Sequence, residues 1–199
     1  MAKYWGWKYD MCEMLKDGEC GDFKLEHFTV GRSFQAMMQG VRPGEYIRLV
    51  HDGEVVMSDT PMEKNTNSRI ISCATGDVLI GGLGLGMILL EIQDKEDVRS
   101  ITVIEKNQEV IDLVGSQLPL NEKVNIICAD VFDWTPEPGT RYDTIYMDIW
   151  NILSRTVYDE EMKPLNRKWG KYLKPKSESP NRFNGCWGQY NAMTGAPLR

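Results

Sequence analysis

The residues best suited to chemistry lie in the segment Asp77–Met87, which reads DVLIGGLGLGM, and in an acid, Glu105, placed 23 residues after Gly82. Gly82, Gly84 and Gly86 permit a tight strand-to-helix turn on which a ligand can approach the backbone closely. In a doubly wound sheet the tip of the second strand sits beside that turn. A carboxylate there can accept hydrogen bonds from two ribose hydroxyls. Glycines alone serve helix packing equally well. A strand, three alternating glycines, a helix, a second strand and a terminal acid together read as a nucleoside-binding site. The spacing is G-x-G-x-G, with Met87 where a dinucleotide G-x-G-x-x-G motif would place its last glycine.

These residues need a sheet to hold them. Val78–Ile80, Ile101–Ile104, Val124–Cys128 and Thr144–Met147 are short apolar, β-branched runs. Between them, residues 87–93 and 108–118 repeat apolar side chains at helical spacing. Strands alternating with helices predict βαβ units and a mostly parallel, Rossmann-like doubly wound sheet. Ahead of it, Tyr46–Val50 and Val55–Met57 flank Asp52-Gly53, a strong hairpin signal over about 45–57. Residues 22–38 are assigned a short helix, and Pro61 with the polar run 64–68 is read as a break. Residues 152–173 read as helix, 175–180 as loop and 183–190 as a last strand. The chain divides into an N-terminal extension, 1–69, and a nucleoside-binding domain, 70–199.

Composition narrows the function classes. The chain has 199 residues and a formal charge of −6, ordinary for a soluble domain. Its two histidines, His27 and His51, make a multi-histidine metal site untenable, so no metal is expected. Five cysteines without a CxxC pair argue against a disulfide framework. The longest apolar run, Val78–Leu90, is 13 residues with four glycines, too short and interrupted for a membrane span. The N-terminus carries no apolar signal segment. A cytoplasmic location is expected. Residues 151–199 carry nine Lys/Arg against four acids, leaving −11 on residues 1–150. That basic tail allows a nucleic acid partner without requiring one, and a solvated helix face explains it more simply.

With these motifs in view, the chain resembles the class I S-adenosylmethionine-dependent methyltransferases, most closely their spermidine synthase-like branch. The resemblance implies S-adenosylmethionine, or a related thioether such as methylthioadenosine, as cofactor. It places Gly82, Leu83, Gly84, Gly86, Glu105, Lys106, Asp130, Val131 and Asp148 in the cofactor site. Asp130 would hydrogen-bond the adenine amino group. Asp148, at the fourth strand tip, would face the reactive end and orient or deprotonate the acceptor. Read from their local sequence alone, Asp130 and Asp148 also suit turn and loop caps. Residues 49–56 look like the N-terminal hairpin of spermidine synthases, Glu91 matches an acid of their next helix, and both have an apolar residue at the place of Ile80.

The departures bear on the acceptor. Val56 stands where aminopropyltransferases carry glutamine, residues 58–63 lack their tyrosine, and Asn151 replaces a second aspartate. Buried ammonium groups need carboxylate partners, so these losses disfavour polyamine synthesis. Asp59, Glu63 and Asp148 remain as a reduced acidic pocket. Asp59, Trp150 and Asn151 are assigned to the substrate pocket, where Trp150 either walls the site, stacks on a planar substrate or simply packs. Only 51 residues follow Asp148, so a C-terminally shortened sheet and a homo-oligomer are expected. The implied function is methyl transfer to a small-molecule or other acceptor that the sequence does not identify. Aminopropyl transfer and an inactive nucleoside-binding or assembly protein of the same fold are the alternatives.

Overall fold

The computed structural model of the chain describes residues 6–33 and 41–198. After a short helix, α1 (Met11–Met14), four strands form an antiparallel sheet in chain order: β1 (Gly18–Cys20), β2 (Phe23–Val30), β3 (Gly44–His51) and β4 (Glu54–Ser58). Asp52 and Gly53 both take positive φ, 50° and 81°. That conformation matches a two-residue turn to the right-handed twist of its strands, as the Asp-Gly signal predicted. Residues 23–30 form a strand rather than the expected helix, and 34–38 lie outside the described residues. The reason is pairing: Phe23 to Val30 run in register against His51 to Gly44. Phe23 and Leu25 thereby turn to the core at alternate positions.

The second sheet is parallel, in the order β7-β6-β5-β8-β9. Its strands are β5 (Gly76–Gly81), β6 (Val98–Glu105), β7 (Val124–Cys128), β8 (Thr144–Met147) and β9 (Phe183–Cys186). Helix α2 (Pro61–Cys73) leads from β4 into β5, α3 (Met87–Gln93) joins β5 to β6, and α4 (Gln108–Leu113) joins β6 to β7 with one turn of 3₁₀ helix at Gly115–Gln117. After β8 come α5 (Arg155–Val157), a π-helical turn (Tyr158–Met162) and α6 (Lys163–Gly170). The chain closes with α7 (Gln189–Thr194), where the expected final strand was too long by its last residues. No helix among the described residues is long and apolar enough to cross a membrane.

The helix α2 replaces the predicted break. Pro61 sits at its first position, where its missing N–H costs nothing, and Lys64, Asn67 and Ile70 face inward. Its buried stripe contains a lysine and an asparagine, so hydropathy does not reveal it. The assigned boundary at residues 69/70 falls inside this helix.

One apolar core joins the two sheets, running from Met11, Phe23 and Leu25 through Ile47 and Leu49 to Val78, Ile80 and Leu89. Glu91 ties the N-terminal segment to α3 by accepting the N–H groups of Lys8 and Tyr9. At the amino ends of the strands, Lys174 and Arg99 bridge Asp77 and Asp143. This arrangement leaves the carboxyl ends of β5 and β8 facing a crevice. Chain order reverses between those two strands, the position at which doubly wound sheets bind ligands.

Candidate functional site

That crevice opens into a cavity of about 620 Å³, within the usual range for small-molecule sites. Its floor is the turn after β5. Gly82, Gly84 and Gly86 have φ of 92°, 51° and 75°, a region that favours glycine. Space demands glycine as well. A Cβ on Gly82 would overlap the backbone carbonyl oxygen of Asp148, one on Gly84 the sulfur of Met57, and one on Gly86 the side chain of Leu118. The turn therefore presents bare backbone to the cavity, wedged against the tip of β8.

Glu105, at the end of β6, is 6% exposed. One carboxylate oxygen accepts the N–H of Leu83 at 2.8 Å, and the other accepts the N–H of Asn107 at 2.9 Å. The second oxygen also accepts the side-chain amide of Asn107 at 3.2 Å, so the side chain is fixed at the turn and the oxygen bonded to Leu83 keeps a second acceptor direction for a ligand hydroxyl. Lys106, beside it, pairs with Asp130 at 2.9 Å. The other oxygen of Asp130 accepts the N–H of Phe132 at 2.8 Å. The Lys106 and Phe132 contacts hold the Asp130 carboxyl below its usual range. Asp130 therefore caps its own turn while lining the cavity, and Val131 and Phe132 complete that wall.

Across the glycine turn, Asp148, Trp150 and Asn151 line the cavity after β8. Burial pushes the Asp148 carboxyl up to about 7, against an opposing hydrogen bond from Asn67. Asn67 in turn accepts from the Tyr146 hydroxyl at 2.9 Å. Glu63, in the first turn of α2, is pushed up to about 8, first by burial and then by Asp148. Trp150 donates its indole N–H to Glu161 at 2.8 Å, and Trp187 forms a further wall, its indole bonded to Thr66.

Asp59 is not brought to this cavity. Its carboxylate accepts the Ile47 N–H at 2.8 Å and lies 3.7 Å from the Lys64 ammonium, fixing β3 against α2. Sequence reasoning placed Glu63 in a reduced acidic pocket but missed Glu161. Glu161 stands on the π-helical turn, a local widening that frequently occurs at functional sites and leaves no periodicity to read. Met57 also lines the cavity, and its sulfur accepts the Leu85 N–H. Burial pushes the Cys186 thiol up to about 12, which leaves it inert as a nucleophile.

No family model matches the chain. It is 26% identical to polyamine aminopropyltransferase 1 of Streptomyces coelicolor, over 51% of this chain and 22% of that one. Among solved structures it is similar to spermidine synthase from Thermotoga maritima, with a TM-score of 0.52 and 14% identity, over 80% of this chain and 52% of that one. The plantazolicin methyltransferase BpumL in complex with SAH is also similar, with a TM-score of 0.41 and 20% identity, over 57% and 48%. The chain thus spans about a fifth of the curated relative and about half of each solved chain. The spermidine synthase likeness shows the Rossmann-like fold.

The raised carboxyl of Glu63 has a consequence for stability. In the unfolded chain it titrates near 4, and in the folded chain at about 8. Its contribution is full below pH 4 and is lost as pH rises through 8. Glu63→Gln is expected to melt above the parent protein at pH 9 and close to it at pH 4, by circular dichroism. Equal shifts at both pH values would show that Glu63 is not a desolvated acid.

Proposed function

We propose that the chain is an S-adenosylmethionine-dependent methyltransferase whose acceptor is a small amine. The observation that supports this most is the ordering of groups around one cavity. Glu105 and Asp130 stand over the β6 and β7 tips, the bare glycine turn lies between, and Asp148 stands over the β8 tip. Glu105 would take the ribose hydroxyls, Lys106 and Val131 would flank the base with Asp130, and Gly82, Leu83 and Gly84 would underlie the adenosyl group. Gly82 and Gly84 line the floor, where a nucleoside thioether would lie against backbone. Methylthioadenosine would use the same contacts.

Charge indicates the acceptor class. Glu63, Asp148 and Glu161 gather at one side of the cavity, whereas its one lysine, Lys106, pairs with Asp130 at the other. Carboxylates in a desolvated pocket favour a cationic ligand. Within the basic C-terminal segment, Lys168, Lys174 and Arg182 bond within the fold.

Bound S-adenosylmethionine supplies a sulfonium-activated methyl group, so alignment is most of the task left to the protein. Trp150 and Trp187 wall the acceptor, and Asn151 shapes the mouth. Asp148 accepts the acceptor's proton at its carboxylate. A carboxylate base titrating near neutrality is well matched to that transfer. Asn67 holds Asp148 in place, and burial keeps its proton affinity high. A second reading, aminopropyl transfer, draws on the likeness to the polyamine aminopropyltransferase and uses the same acidic side.

With methyl-labelled S-adenosylmethionine and a panel of amines, the label is expected in the amine, with a rate that rises with pH through about 7. Asp148→Asn should lower kcat by about 10²- to 10⁴-fold. With methyl-labelled decarboxylated S-adenosylmethionine as donor, label released as methylthioadenosine while the amine gains an aminopropyl group would favour aminopropyl transfer, and no turnover of either donor with bound cofactor would favour a non-catalytic protein.

We also propose a homo-oligomer. β9 pairs only with β8 among the described residues, and an unpaired strand edge invites pairing with a second copy. Light scattering after size-exclusion chromatography should give a dimer or larger species at micromolar concentration. A monomer would contradict this.

A further inference from the structure

The turn that carries Asp130 is held from outside by a residue with no place in the motifs. Lys168, on α6, donates its three ammonium hydrogens to three carbonyl oxygens of that turn: Val131 at 3.1 Å, Phe132 at 2.7 Å and Trp134 at 2.7 Å. An ammonium has three donors and no acceptor, so this arrangement satisfies it fully. From inside, the turn is closed by the N–H of Phe132 on the Asp130 carboxylate and by the N–H of Trp134 on the Asp130 carbonyl. The residue after Lys168 reinforces the contact. Trp169 is fully buried, and its ring stacks on Trp134 with centroids 5.9 Å apart.

Three carbonyl dipoles converging on one point repel one another unless a cation sits there. Without the ammonium the turn would relax by rotating peptide planes. The planes involved belong to Val131 and Phe132, which line the cavity beside Asp130. Lys168 does not line the cavity, so its influence on a ligand runs through the turn. Burial lowers its proton affinity, yet three strong acceptors favour its charged form.

The geometry points to Lys168 as a positioning residue for base recognition, holding Asp130 where it reads the amino group of the adenine. This rests on the adenosyl reading proposed above. It also gives the basic helix a specific task within the cofactor site.

The test compares two ligands by titration calorimetry, S-adenosylhomocysteine and S-inosylhomocysteine, whose base lacks the amino group. The parent protein should prefer the adenosyl ligand by about tenfold, the value of one charge-assisted hydrogen bond. Lys168→Met keeps most of the apolar stem. It should weaken the adenosyl ligand about tenfold, leave the inosyl ligand nearly unchanged and so abolish the preference. Lys168→Gln, which keeps two N–H donors, should retain part of it and provides a second variant if the methionine form does not fold. A parallel loss for both ligands, or no loss for either, would overturn the positioning role. Failure of the parent protein to bind S-adenosylhomocysteine would overturn the adenosyl reading itself.

Discussion

The contact on which the structure turns is the one between the Gly82 backbone and the carbonyl of Asp148. β5 and β8 are neighbours in the sheet, and the chains leaving their tips pass so closely that no Cβ fits at Gly82. That proximity sets the glycine turn against the tip of β8 and brings Asp148 within one cavity of Glu105. A side chain at Gly82 would push the two tips apart and separate the Glu105 side of the cavity from the Asp148 side. The other glycines extend the same constraint, Gly84 against Met57 of the hairpin sheet and Gly86 against Leu118.

Around this contact the two sides of the cavity are built differently. On the β6–β7 side each acid has fixed partners: Glu105 is held by two backbone N–H groups, and Asp130 by Lys106 and its own turn. Such acids are held as rigid acceptors. On the β8 side, Asp148 and Glu63 have few compensating partners, and burial raises both. Those acids can change protonation near neutral pH. A fixed binding half and a titratable half, facing each other across bare backbone, is an arrangement suited to holding one ligand and moving a proton on another.

Much of the parallel sheet was legible because its strands are short apolar runs separated by turn residues, and the glycine turn and Glu105 have spacings that few other structures require. The hairpin was legible from Asp52-Gly53, whose positive φ values are a local property. What escaped depends on long-range contacts. Residues 23–30 become a strand only by pairing with β3, and α2 buries Lys64 and Asn67, which no hydropathy pattern assigns to a core. Asp59 is assigned to the pocket because it stands in the stretch 58–63 that matches an acidic segment of the aminopropyltransferases, but its carboxylate turns to Ile47 and Lys64 instead. Glu161 reaches Trp150 through a π-helical turn, and Lys168 grips a turn 34 to 37 residues earlier in the chain.

The central claim is that the cavity over the glycine turn holds an adenosyl thioether through Glu105. Titration calorimetry with S-adenosylmethionine, S-adenosylhomocysteine and methylthioadenosine tests it most directly, on the parent protein and on Glu105→Ala. The account predicts one site for at least one of these ligands, weakened in the variant by about 1–3 kcal/mol through loss of charge-assisted ribose hydrogen bonds. Absence of binding by the parent protein to all three, or an affinity unchanged in Glu105→Ala, would contradict it.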